Sequence, residues 1–173
     1  VIRHELIHLV AADFGGRPLS IAQNQFGLPN MALTEGLAEA HSPRDPRLSL
    51  HEWSAALGKI GKRPNIEALL SSEGFYQSSA RTAYTVCGSL LLYTQETHGL
   101  GAVKDWYKEG VWRQNPPLPD LLKDWEAYLD GIPLSEHALE ATKAYFDRPS
   151  IFKRTCAHEM SLLREQTHKA LRL

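Results

Sequence analysis

The pattern that most constrains this chain is His4-Glu5-Leu6-Ile7-His8. Two histidines four residues apart share a face only if the backbone is helical, where i and i+4 lie one above the other. In that conformation both imidazoles can serve one metal ion, and Glu5, beside His4, can reach a water on that ion. Leu6, Ile7, Leu9 and Val10 widen the helix's apolar surface, which predicts a buried element. A helix whose two histidines cap, pair or face solvent has the same pattern. A catalytic zinc takes three protein ligands and keeps one position for water, so the two histidines are one ligand short.

The third ligand is expected from the next helix. Helix 1 is predicted to reach about Asp13 and to close at Phe14-Gly15-Gly16, a C-terminal glycine signal. Residues 17–30 hold Pro18, Gly27 and Pro29 and few periodic apolar positions, and they read as a loop over the site. Residues 31–40 read as the second helix, stopped by Ser42-Pro43-Arg44-Asp45-Pro46. Glu35 on that helix is the natural third ligand. Gly36 has no side chain, so the backbones of the two helices can approach closely. Glu39, one turn on, can accept a hydrogen bond from the other ring nitrogen of a ligand histidine.

The two segments together resemble the gluzincin zinc metallopeptidases, the peptidase-MA-like group that includes thermolysin-like and aminopeptidase N-like enzymes. There the HExxH helix is followed by a glutamate ligand in a phrase much like Thr34-Glu35-Gly36-Leu37-Ala38. The resemblance implies one Zn2+ ion on His4, His8 and Glu35, with Glu5 as general base. It also supports Glu39 as partner of a ligand histidine. Two features depart from the pattern. The 26 residues between His8 and Glu35 make a longer spacer than the aminopeptidases have, and Ala40 stands where many relatives carry an aromatic residue. A further landmark is Tyr84-Thr85-Val86-Cys87-Gly88-Ser89-Leu90-Leu91-Leu92-Tyr93, closing at Gly99. In aminopeptidase N-like gluzincins such a helix opens with the tyrosine that binds the oxyanion, which makes Tyr84 the candidate and Tyr76 the runner-up. Read from the residues alone, Tyr84 is equally a core aromatic with a satisfied hydroxyl.

The rest of the chain reads as helix. Residues 46–58 and 66–70 are predicted helical, and 71–79 polar and irregular with Phe75 and Tyr76 as lid or wall aromatics. Residues 80–98 form the longest helix, with Ala83, Tyr84, Val86, Cys87, Leu90, Leu91 and Thr94 on its buried side. Further helices are expected over 101–110, 119–129, from Ser135 to beyond Ala144, and over 152–173. No strand pattern stands out. The fold class is therefore mainly α, one helical domain over 1–173, with zinc-site helices in 1–45 and a helical subdomain in 46–173. The resemblance reads this as the helical half of a gluzincin (zincin-like) catalytic domain. The sheet-bearing part is then expected upstream, in the same parent protein and absent from this chain.

Composition narrows the partners. The net charge is -1 and no Lys/Arg run occurs, which argues against nucleic acid. No apolar stretch approaches the roughly 20 residues of a membrane span. Cys87 and Cys156 can pair or remain thiols. His41 follows the ligand helix and can reach a substrate cleft, and Arg81, near Tyr84, can meet a substrate carboxylate. His51, His98, His137, His158 and His168 read as solvated or helix-end residues. The expected activity is hydrolysis of a peptide or protein substrate by zinc-activated water. The alternative is a gluzincin-like domain that binds zinc, and a peptide or partner, without turnover. Likeness to bacterial members of the family favours an extracytoplasmic location.

Overall fold

Short polar side chains set where most of the helices begin. The computed structural model describes residues 2–42 and 47–147. The expected helix over 152–173, and with it Cys156, His158 and His168, lies outside them, as do residues 43–46. The helices are α1 (Ile2–Ala11), α2 (Met31–His41), α3 (Leu50–Lys59), α4 (Ile66–Leu70), α5 (Ser72–Gln77), α6 (Ala80–Glu109), α7 (Leu118–Asp130) and α8 (Glu136–Phe146). The side chains of Asn30, Ser49, Asn65, Ser71, Ser79 and Ser135 each accept a first-turn backbone N–H, satisfying donors the helix itself leaves open. Among the described residues there is no strand, and no helix is long and apolar enough to cross a membrane. The loop between α1 and α2 carries two isolated bridges, Gly16 with Ile21 and Gln23 with Pro29.

α6 is the central element. Thr85 through Leu91 are buried without interruption, so this stretch is covered on every side. α2 crosses it and is nearly as enclosed, with Ala32, Leu33, Thr34 and Gly36 through Ala40 buried. α1, α4 and α5 pack around α2, while α3 joins α6, α7 and α8 on the other flank. Leu57, Leu69, Leu90, Leu121, Trp125 and Leu129 fill the interior. Each such side chain contributes on the order of 1.5–3 kcal/mol by leaving water. Gly99 breaks α6 with a φ of 84°, a left-handed conformation that favours glycine. The two helices expected on either side of it thus follow one another with only a kink between them.

Several expectations need correction. Residues 71–79 are not irregular: Ser71 caps α5, and Phe75 buries its ring. α3 starts at Leu50, because Ser49 and Glu52 form a reciprocal capping box; Leu48 lies ahead of the helix. The broad apolar surface of α1 is not buried. Ile2, Leu6, Leu9 and Val10 are all more than half exposed, since α1 packs principally against α2 and the opposite face has no neighbour among the described residues.

Candidate metal centre

α1 turns His4 and His8 toward α2. His4 is buried and His8 about a quarter exposed, their rings edge to face with centroids 4.9 Å apart. Glu35 answers from the second turn of α2. Its Oε2 stands 3.1 Å from His4 Nε2 and 3.8 Å from His8 Nε2. One donor atom from each of the three residues lies within 4.8 Å of the others. Ligands about 2.0–2.1 Å from a tetrahedral zinc sit about 3.3 Å from one another, so these separations bracket that edge length. Two imidazoles and one carboxylate, with solvent on the His8 side, also match a catalytic rather than a closed structural donor set.

Local chemistry places Glu35. The Asn30 side chain accepts the Leu33 N–H at 3.2 Å and starts α2. One residue past Glu35, Gly36 is pressed against α6, where a Cβ would stand 3.0 Å from Cys87 Cβ and 3.1 Å from the Cys87 carbonyl group. One turn later the roles reverse, and a Cβ on Gly88 would meet Glu39 Cβ at 3.1 Å. The close approach expected at Gly36 is therefore made to α6 rather than to α1. Each glycine admits its opposite helix, and the crossing sets how far α2 projects its carboxylates toward α1.

Behind the histidines two residues face His4 Nδ1: Glu39, expected from its spacing, and Ser42, which the sequence did not single out. Glu39 is buried, with Oε2 3.9 Å from His4 Nδ1. Ser42 Oγ is nearer, at 3.4 Å, and donates its own proton to the Ala38 carbonyl at 2.7 Å. The Ser42 oxygen is thus free to accept from Nδ1–H, which leaves Nε2 as the atom facing Glu35. Ser42 had read only as part of a helix stop.

Aromatic rings form a wall beside the histidines. Tyr84 lies parallel to His4 with centroids 6.2 Å apart, Phe75 stacks on Tyr84 at 5.9 Å, and Tyr76 meets Phe75 edge-on. Tyr84 is therefore next to the centre, while Tyr76 is one ring further out and 71% exposed. Glu5 is exposed on α1, one residue from His4. Arg81 is engaged elsewhere: it donates to the Tyr145 carbonyl and lies over the Tyr145 ring.

The remaining candidates separate from the centre. His41 is half-buried and lines an apolar cavity of about 230 Å³ with Ile7, Val10, Phe14, Leu37 and Leu100. Burial lowers its pKa, a hydrogen bond donated to the Gln95 side-chain oxygen raises it, and Arg3 lowers it further. His51 is not solvated. It bonds Ser89 Oγ through Nδ1 at 2.9 Å and Glu96 through Nε2 at 3.2 Å, inside the α3–α6 contact. Cys87 is a fully buried thiol whose pKa burial pushes far up, which makes it a packing residue rather than a ligand. Comparison with known protein families, with characterised proteins and with solved structures found no match for this chain.

Proposed function

We propose that the chain carries the metal centre of a gluzincin-type zinc metallopeptidase. The observation that carries this reading is the convergence of a single Glu35 oxygen on the inward nitrogens of His4 and His8, around an HExxH pattern that already supplies a carboxylate beside the ligands. His4, His8 and Glu35 would hold the ion. When bound, zinc supplies a Lewis acid that polarises a carbonyl and makes a nearby water acidic. The chain's own residues do the rest. Glu5 removes the water's proton and returns it to the departing amine nitrogen. Tyr84 donates a hydrogen bond to the oxygen that becomes negative as water adds. Glu39 and Ser42 hold the His4 ring in the tautomer that turns Nε2 inward. The substrate class is a peptide or protein.

Turnover of a peptide library by the zinc-loaded wild type, with Glu5→Gln alongside, tests the proposal. The variant should keep its zinc and lose activity by about 10²–10⁴-fold. Undiminished cleavage by the variant contradicts the base assignment. The exposed apolar strip of Ile2, Leu6, Leu9 and Val10 supports a second reading, a zinc-binding domain that holds an apolar peptide or partner without cleaving it. Zinc binding with no cleavage of any library member by the wild type would favour it.

A further inference from the structure

α1 and α6 both pack on α2 but scarcely touch each other. Between them lies the apolar cavity of about 230 Å³ that His41 lines. On α1, Ile7, Val10 and Ala11 stand at i, i+3 and i+4, the spacing of one helix face. On α6, Leu100 follows the Gly99 kink and Lys104 comes one turn later. Ala11 and Leu37, almost fully buried, mark the closed end of the cavity. Val10 and Leu100, 60% and 45% exposed, mark the open end. None of His4, His8 and Glu35 lines it, so it is separate from the candidate metal centre.

The lining is chemically one-sided. Its walls are aliphatic apart from the Phe14 ring, and its charged side chain is the Lys104 ammonium, with Nζ 5.1 Å from the Phe14 ring centroid. No Asp or Glu lines the cavity. A ring beside an exposed ammonium is a weak partner, and a carboxylate is a stronger one. The aliphatic walls reward a ligand in proportion to the apolar surface it takes out of water. The volume holds roughly seven or eight groups the size of a water or a methylene, at about 30 Å³ each. Size, apolar walls and a cation at the rim together describe a hydrocarbon chain of about that length ending in a negative head group.

We propose that this cavity binds a small aliphatic carboxylate, its chain against Ile7, Val10, Leu37 and Leu100 and its head group at Lys104. The site stands apart from the metal-centre reading and does not depend on it. Calorimetric titration with butanoate, hexanoate, octanoate and decanoate tests the proposal, run with and without a metal chelator. Affinity should rise about fourfold per methylene up to octanoate and then level off, equally in both conditions. Octanol should bind about 2–5-fold more weakly than octanoate, the worth of an exposed ion pair, and Lys104→Met should remove that difference. Val10→Trp, which fills the open end, should abolish binding while far-ultraviolet circular dichroism shows the helices retained. A short peptide ending in leucine, as free acid and as amide, separates the two sources of such a ligand. An acid that binds more tightly than octanoate, with a weaker amide, assigns the site to a peptide C-terminus; octanoate as the tighter ligand assigns it to a free aliphatic acid. Binding lost on chelation would place the carboxylate on a metal ion and overturn the proposal. So would octanol as tight as octanoate, binding unchanged in folded Val10→Trp, the absence of saturable binding, or binding that disappears as a second copy covers the cavity at high protein concentration.

Discussion

Gly36 of α2 lies so close to Cys87 of α6 that an added Cβ would stand 3.0 Å from the cysteine's Cβ. This contact, next to Glu35, sets the depth of the α2–α6 crossing and decides between two opposed effects. Helix propensity alone makes Gly→Ala stabilising by about 1 kcal/mol. Overpacking a tight contact costs about 1–3 kcal/mol. Two of the three nearest atoms at Gly36 are backbone atoms of Cys87, which cannot rotate away, so overpacking wins. Gly36→Ala should lose up to about 2 kcal/mol net in urea unfolding. Gly101→Ala, with nothing within 4 Å of its added Cβ, should instead gain stability. A stabilising Gly36→Ala would show that the crossing is loose.

Tyr84→Phe separates binding from chemistry. The ring stacked on His4 is kept and only the hydroxyl is lost. Zinc affinity should be unchanged while kcat falls by about 10²–10³-fold, the cost of removing one oxyanion donor. An unaffected kcat would return Tyr84 to the role of a wall residue, with Tyr76 as the next residue to substitute.

His51 makes stability depend on pH. Its pKa is held below 6.5 mainly by burial, against the opposing charge and hydrogen bond of Glu96. The groups around it are Ser89, which also accepts the Trp125 N–H at 3.2 Å, and the edge-on Tyr128 ring. A depressed folded pKa means that the unfolded chain takes up the proton first. The stabilising contribution is therefore complete above pH 6.5 and declines as pH falls toward the folded value. One such group contributes at most about 1.4 kcal/mol per pH unit. Urea midpoints at pH 7.5 and 5.5 should differ less in His51→Gln than in wild type; equal differences would remove His51 as the cause. His41, shifted the same way, keeps part of the dependence in both proteins.

Cys87 should be silent to thiol reagents in the folded chain. It is buried to 1% exposure and its thiolate is strongly disfavoured. With Cys156→Ser as background, labelling should appear only as denaturant unfolds the protein. Rapid labelling in buffer would mean that the α2–α6 contact opens readily.

The grouping of His4, His8 and Glu35 was legible in the sequence because its grammar is local: His4 and His8 are spaced by one helical turn, and Glu35 sits in a short phrase. The outer partners were legible only in part. Glu39 follows from the i+4 rule, whereas Ser42 reaches His4 from a helix end, a geometry no spacing encodes. His51 looked like a surface histidine because its partners Ser89 and Glu96 come from another element. The helices themselves were readable from their breakers and apolar periods. Misses came where a single cap outweighed composition, at Ser49 and Ser71. The exposure of Leu6, Leu9 and Val10 was missed for a different reason: an apolar face predicts burial only if some element packs on it.

The central claim is most directly tested by metal content. Purified wild type and His4→Ala should be equilibrated with zinc, freed of loose metal and assayed by elemental analysis. The account predicts about one zinc ion per wild-type chain, the loading of a three-ligand catalytic site, and near-total loss in His4→Ala. A wild type without zinc, or a His4→Ala variant that retains it in full, would contradict the account.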